Sequence, residues 1–453
     1  MGFPDGMRAG GTVMDEVKRW HAVTLAVLAM AFPLCWFLSE EAAQWLTRAL
    51  FWLLVARVLT GERSPCRDTV VQLCVLLALT VVLGYLWQQY TVPEALRGGF
   101  SARKYIPALC FFVAVAYGAA AVPWLSPFWL LISFGVGLSV HLTSIPMEVW
   151  LAAWQGARPS FGFRNAQHTG VVFATALLAG TLFLPRCLSG PPRVRLVSLP
   201  VLIAFILVAA FGVIVTQTRA IWLGLTVAGG VVLLAGVVAL FCGKHSVDRH
   251  SLVKKAAVGI CILLAGAGAF HFGAGDIIAR RLASEQVSAE TITEAASLET
   301  APQSSITVRI GSWSAALEWI AERPVFGWGG RAASRLIDQS PHFDEQFKSH
   351  FGHLHNSYLE TLLNVGGATM ACIVVIVLLV ARRIAAGWRA GRIPTDVFLF
   401  ACTFYPFWAT VNMFESYILY DTGFLFNALI GGFVYSWHLR ETRSAMPLPR
   451  GGT

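Results

Sequence analysis

Long runs of apolar residues, nearly free of charge, decide which solvent this chain folds in. "VTLAVLAMAFPLCWFL" and "VLIAFILVAAFGVIV" carry no charged side chain. About 20 such residues let a helix cross the hydrocarbon core, and a helix satisfies its own backbone hydrogen bonds there. Runs of this kind lie near 22–39, 42–60, 68–90, 105–122, 126–143, 168–185, 197–215, 219–242, 256–273, 365–382, 396–413 and 421–438. Charged residues make up 13% of the chain, about half the share found in a soluble domain. The expected fold is an all-α polytopic membrane protein of about 12 transmembrane helices with one large loop outside the bilayer.

A net charge of +9 raises nucleic acid as a partner, but the distribution of the charge argues against it. With the amino terminus inside, Lys18, Arg19, Arg57, Arg63, Arg67, Arg186, Arg193, Arg195, Arg382, Arg383 and Arg389 all fall on the inner side. That is the positive-inside bias. Both termini are then cytoplasmic, and no nucleic-acid partner is expected. The first apolar run leads through "SEEAAQWL" straight into another, so it reads as an uncleaved anchor rather than a secretory signal. The nine cysteines lie almost entirely in spans or on the inner side, which predicts no structural disulfide in the large loop.

Three parts follow from this pattern: residues 1–273 as nine helices with short loops, 274–364 as the large loop, and 365–453 as three helices with a short cytoplasmic tail. The loop falls on the outer face, the periplasm of a Gram-negative cell. Its first stretch, "ASEQVSAETITEAASLETAPQSS", is small, polar and acidic, the composition of a mobile lid. Order returns at "SSITVRIGSWSAALEWIAERP", where Ile306, Ile310, Trp313, Leu317 and Ile320 recur at helical spacing. Arg309 lies one turn before Trp313 on the same side. A glycine-rich turn, "FGWGG", follows.

The loop closes with "HLHNSYLETLLNVGG", residues 353–367. "SYLE" fits a capping box, Ser357 as cap and Glu360 reaching back. His353, His355 and Asn356 then stand beside a helix amino terminus, which favours an anion. His355 is either a general base for a hydroxyl or an interfacial histidine bonded to a carbonyl. Zinc is a competing reading of His342, Asp344, Glu345, His350, His353 and His355, but the spacing matches no helical zinc motif and no cysteine is near. Arg219, in "TQTRAIWLG", sits between two spans on the same outer face. It either faces a cavity or snorkels to the interface. Arg164, Asn165 and His168, in "SFGFRNAQHTG", touch a headgroup or anchor the interface. Arg48 is the one deep basic residue in the spans. Arg164, Arg219 and Arg309 together suit a pyrophosphate without a metal ion, and a histidine near them suits transfer from a lipid pyrophosphate to an alcohol.

Four blocks, "TQTRAIWLG", "RIGSWSAALEWIAERPVFGWGG", "HNSYLETLLNVGG" and, more loosely, "FGFRNAQHTG", give the chain a resemblance to the bacterial O-antigen ligases. These belong to a superfamily with O-antigen polymerases and O-linked oligosaccharyltransferases. In the third block His355 precedes Gly366 at the family's spacing. The resemblance implies a GT-C-like, metal-independent, inverting glycosyltransferase of the bacterial inner membrane with its active site facing the periplasm. Its partners would be undecaprenyl-pyrophosphate-linked O-antigen as donor, lipid A–core as acceptor, and membrane lipids, with no cofactor. Carried over, His355 is the catalytic base and Arg219, Arg309 and Arg164 bind the donor pyrophosphate. His353, Asn356, Asn165, Trp313 and Gly366 support the site or touch substrate.

Polymerase and oligosaccharyltransferase chemistry remain the near alternatives, although the short tail argues against the latter. A transporter or lipid-carrier flippase is the alternative of a different class. Transporters place ionisable groups or broken helices near the midplane, whereas the polar residues here gather at the outer edge.

Overall fold

The computed structural model describes residues 13–241, 305–341, 343, 345–350 and 352–444. The expected span at 256–273 and the acidic stretch at 283–303 lie outside the described residues. In chain order the helices are α1 (Val13–Leu38), α2 (Glu40–Leu59), α3 (Ser64–Arg67), α4 (Thr69–Thr91), α5 (Ala102–Cys110), α6 (Phe112–Ala119), α7 (Phe128–Thr143) and α8 (Met147–Trp154). Next come α9 (Ala166–Leu188), α10 (Pro192–Val215), α11 (Arg219–Phe241), α12 (Ser305–Glu322), α13 (Ala332–Gln339) and α14 (Glu345–His350). The chain ends with α15 (Ser357–Arg389), α16 (Thr395–Asn412) and α17 (Asp421–Ser444). Among the described residues the sole β feature is one bridge, Gly99 to Gly330.

Seven of these helices are long and apolar enough to cross a membrane: α1, α2, α4, α9, α10, α11 and α15. The pair α7 and α8, bent by 94°, adds an eighth if it forms one span. Large apolar side chains stay exposed along them, including Trp20, Trp52, Leu196, Val201 and Leu233. That is the pattern of helices solvated by lipid. The chain is an all-α, polytopic integral membrane protein.

Several expected spans take a different form. The run at 105–122 divides into α5 and α6 at Phe111, with Pro107 inside α5. A proline there removes one backbone donor and crowds the preceding turn. The runs at 396–413 and 421–438 are α16 and α17, but they fall short of the apolar composition of the seven. Both are core helices. Phe424, Leu425, Phe426, Leu429, Ile430, Phe433, Val434 and Tyr435 of α17 are all buried, alongside buried Thr422 and Ser436. Protein rather than lipid surrounds α17, so polar side chains are tolerated where partners exist.

Short polar side chains start helices at both ends of the bundle. Ser39 accepts from Ala42, Asp68 from Val70, and Asn165 from both Gln167 and His168. For α15 the cap is Asn356, whose side chain accepts from Tyr358 and Leu359. The capping box expected at Ser357 is therefore displaced by one residue. The amide oxygen of Asn356 reaches the free first-turn donors, as asparagine does well. Ser357 instead donates to the Glu415 carbonyl at 2.9 Å.

At the other end of α15, Arg383, Tyr435 and Tyr117 converge on the Asp68 carboxylate. The distances are 2.6 Å from Arg383, 2.7 Å from Tyr435 and 3.1 Å from Tyr117. This ion pair and its phenols tie α4, α6, α15 and α17 together.

α15 is interrupted at Gly366, where φ is +75° and ψ is 178°. The break is filled by the chain at 324–329. Trp328 donates to Leu363 at 2.8 Å, Gly329 to Asn364 at 3.0 Å, Gly367 to Pro324 at 2.7 Å and Ala368 to Val325 at 3.1 Å. Gln88 of α4 adds a bond to the Asn364 carbonyl at 3.2 Å. A Cβ at Gly366 would stand 2.2 Å from the Val325 carbonyl oxygen, in a backbone region that only glycine adopts without strain. Gly366→Ala is expected to destabilise the protein by at least about 2 kcal/mol. Gly230→Ala, where a Cβ meets nothing within 4 Å, is expected to be near neutral. Thermal unfolding of the two variants in detergent checks both.

Candidate functional site

The segment 352–356 is held against the bundle end from three sides. Leu354 is fully buried. Its N–H donates to the Glu360 carboxylate at 2.9 Å and its carbonyl accepts from the Trp313 indole at 2.8 Å. His355 takes a left-handed conformation, φ +48°, which costs a β-carbon residue about 1 kcal/mol. The turn places the rings of His353 and His355 only 3.9 Å apart, centroid to centroid. Both face one carboxylate from the α16–α17 connection. His353 Nε2 is 3.3 Å from Glu415 Oε1, and His355 Nδ1 is 3.3 Å from Glu415 Oε2. The Glu415 side chain is 2% exposed, against 27% and 20% for the histidines, so the pair opens outward while its counter-charge is sealed.

Burial alone disfavours the charged form of Glu415, but hydrogen bonds and positive charge from His353 and His355 outweigh it. They hold its carboxyl well below the usual carboxylate range. A carboxylate only accepts, so each ring nitrogen facing it carries the hydrogen. In a neutral ring the opposite nitrogen, Nε2 of His355 or Nδ1 of His353, is then the lone-pair atom. A general base needs that arrangement.

Beside the histidines His168 lies between two tyrosines, 5.0 Å from Tyr417 and 5.3 Å from Tyr420. Its Nδ1 pairs with the Thr422 hydroxyl at 2.8 Å. Arg164 stacks on Tyr420, guanidinium carbon 3.9 Å from the ring centre. Burial raises the Tyr420 phenol above its ordinary value, with Arg164 acting against that. Burial raises the Tyr417 phenol well above its ordinary value, and the charge of Arg309 acts against that. Arg219 begins α11, which packs along α16 so that Gly224 meets Phe407 and Val411. Arg219 therefore stands at the same end as Glu415, four residues past Val411.

A cavity of about 660 Å³ opens next to this cluster. His353, Glu360, Arg164 and Tyr420 line one side. Gln44, Thr47 and Arg48 of α2, Arg103 and Lys104 of α5, Arg331 and Ser334 at the start of α13, and Asp421 line the rest. Arg219 and Arg309 do not line it.

Of the residues expected from sequence, His353, His355, Arg164 and Trp313 come together here. Asn165 and Asn356 are helix caps, and Gly366 is the break in α15. α12 forms as expected, but Leu317 is 58% exposed while Ala315 and Ala316 are buried. α12 therefore presents its small residues to the bundle. Glu415 was missed, as were Arg103, Lys104 and Arg331. The available signals were an acid between two apolar runs, and basic residues on the outer face against the general bias. For a metal, His353, His355 and Glu415 offer three donor atoms within 4.8 Å of one another. His342, Asp344 and the His350 side chain lie outside the described residues.

A helical membrane bundle with a histidine–carboxylate cluster beside a cation-lined cavity has the parts of an enzyme acting on anionic lipid substrates. Residues 203–374 match the O-antigen ligase family model, Wzy_C. Over those residues the chain resembles the O-antigen ligases, in line with its motifs. Members of that family are membrane glycosyltransferase-like ligases and polymerases of lipid-linked glycans. The match takes in Arg219, Arg309, Trp313, His353, His355, Asn356 and Gly366; Arg164, Asn165 and Glu415 fall outside it. No curated protein matches the chain.

The depressed Glu415 carboxyl sets a pH dependence with a definite sign. An unfolded glutamate takes up its proton near its ordinary value of 4.5, before the folded one does. The stability that Glu415 contributes is therefore complete above that pH and is lost as pH falls further toward the folded value. Glu415→Gln is expected to melt at a lower temperature than wild type at about pH 7, and to lose less on acidification to about pH 4. Melting curves across that range test it.

Proposed function

We propose that the protein is an O-antigen ligase. It would transfer O-antigen from undecaprenyl pyrophosphate to a sugar hydroxyl of lipid A–core, at the periplasmic face of the bacterial inner membrane. The observation that carries the reading is the His355–Glu415 pair, its imidazole partly exposed over a sealed carboxylate, within a chain that matches the ligase family across the histidine block. The proposed topology has about 12 crossings and both termini in the cytoplasm. It gathers the turns before α9, α11, α15 and α17 on one face, in keeping with a GT-C-like architecture. In this reading 1–273 and 365–453 form the membrane scaffold, and 274–364 is the periplasmic loop that carries catalytic elements.

His355 Nε2 takes the proton of the acceptor hydroxyl as its oxygen attacks the anomeric carbon of the donor glycan. The bond from that carbon to the pyrophosphate oxygen breaks with inversion, and undecaprenyl pyrophosphate leaves with the electron pair. Arg219, Arg309 and Arg164 stabilise the charge that develops on it. Glu415 is a positioning residue: it fixes the His355 tautomer and stabilises the imidazolium that forms. No metal ion is required in this scheme. The grouping of His353, His355 and Glu415 favours a second reading, a divalent ion bound at these three side chains.

Purified protein, glycan-loaded undecaprenyl pyrophosphate and lipid A–core, assayed with chelator present, discriminate these readings. Wild type is expected to glycosylate the core in chelator, with His355→Ala slower by about a hundredfold or more and Arg219→Ala also strongly impaired. Lengthening of the glycan on its carrier instead would make the protein a polymerase. Transfer to a serine or threonine would make it an oligosaccharyltransferase, and activity that stops in chelator would support the metal. Absence of any product would point to transport of the carrier. Glu415→Gln, assayed below its melting transition and normalised to folded protein, is expected to lower kcat by about tenfold or more with KM for donor and acceptor nearly unchanged.

A further inference from the structure

Five cations face the cavity beside His353, and its two acids are already engaged. The Glu360 carboxylate accepts from the Leu354 N–H at 2.9 Å. Asp421 accepts from the Gln44 amide at 2.7 Å. Among the described residues no ion pair takes up Arg48, Arg103, Lys104, Arg164 or Arg331. Burial, then repulsion from Arg331 and Arg164, lowers the Lys104 ammonium from its ordinary value, with Asp421 acting against that. Five cations against two carboxylates leave the lining with an excess of positive charge, and an entering anion relieves the repulsion that remains. Guanidinium groups are also the side chains best matched to phosphate oxygens.

The cavity is larger than a diphosphate needs, and it is built from a different part of the molecule than Arg219 and Arg309. α2, α5 and the first turn of α13 form its walls. Pro107, Ala108, Phe111 and Phe424 add an apolar side below the cations, the combination expected for a charged headgroup carried on a lipid. We propose that this cavity is a second anion site, which binds the phosphate-bearing headgroup of the glycolipid acceptor through Arg48, Arg103, Lys104 and Arg331. The assignment to the acceptor rests on the ligase reading above, in which Arg219 and Arg309 serve the donor. Arg164, on Tyr420 at the cavity's edge, lies between the two sets. The acceptor hydroxyl is thereby delivered past His353 toward His355.

The test is direct binding to the full-length protein in nanodiscs, read without catalysis. Three probes are compared: lipid A–core with its phosphate monoesters, the same lipid after phosphatase treatment, and undecaprenyl pyrophosphate. Arg103→Gln/Arg331→Gln is expected to weaken phosphorylated lipid A–core by about tenfold or more, the scale of losing charge-assisted hydrogen bonds. Dephosphorylated lipid is expected to bind wild type about as weakly as phosphorylated lipid binds the variant. Undecaprenyl pyrophosphate affinity should stay within about twofold. Arg103→Lys/Arg331→Lys, melting like wild type, is expected to retain most of the binding. A selective loss of undecaprenyl pyrophosphate would overturn the proposal and assign the cavity to the donor. Acceptor binding indifferent to phosphate or to both arginines would overturn it as well. If the cation dependence holds while no transfer to lipid A–core occurs in the ligation assay, the anion site stands and the ligase reading falls. Transfer with no cation dependence would have the reverse meaning.

Discussion

The break in α15 at Gly366 is the constraint on which the arrangement of the site depends. A continuous helix would satisfy its own backbone and have nothing to offer a neighbouring chain. Opened at Gly366, it exchanges four backbone hydrogen bonds with residues 324–329. The described part of the segment before α15 is thereby fastened to the bundle by main chain as well as by side chains. Asn364, buried beside the break, extends the fastening. Its amide donates to the Tyr105 hydroxyl at 2.9 Å and accepts from the Ala332 N–H at 2.9 Å. One side chain thus joins α5, α13 and α15, each of which contributes to the lining of the basic cavity or lies beside it.

Fastening on that scale suits the neighbouring turn, which is strained and polar. His355 sits in the left-handed region, and a buried carboxylate lies under two imidazoles. Neither feature is favourable alone. Trp313 holds the Leu354 carbonyl, Glu360 holds its N–H, and Asn356 caps the helix immediately after. A rigid frame lets Glu415 stay charged although little water reaches it, because both oxygens find donors that do not have to reorganise.

The same end of the bundle carries Arg219 and Arg309 as well as the cations that line the cavity. Arg309 reaches Tyr417, Arg219 begins α11 at this end, and the cavity group lies on the side of His353.

Much of this was legible in the sequence. Uncharged runs of about 20 residues have one stable form in lipid, so the helical membrane class followed from composition and run length. Local chemistry also placed the histidine turn at a helix start, although the cap fell on Asn356 rather than Ser357. The run around Leu317 was legible as a helix, and Trp313 and Ile320 of its apolar stripe pack inward, but Leu317 itself is exposed, because helical period does not say where the edge of the buried face falls. Glu415, Arg103, Lys104 and Arg331 became site residues through the fold alone. Arg103 and Lys104 are adjacent, but the others lie tens to hundreds of positions away, on segments whose meeting is set by how helices pack. By itself the sequence determined the solvent, the helices and the family blocks, because these depend on neighbours along the chain. The tertiary structure decided which carboxylate faces His355 and which cations share a cavity, because charges act through space and are indifferent to sequence distance.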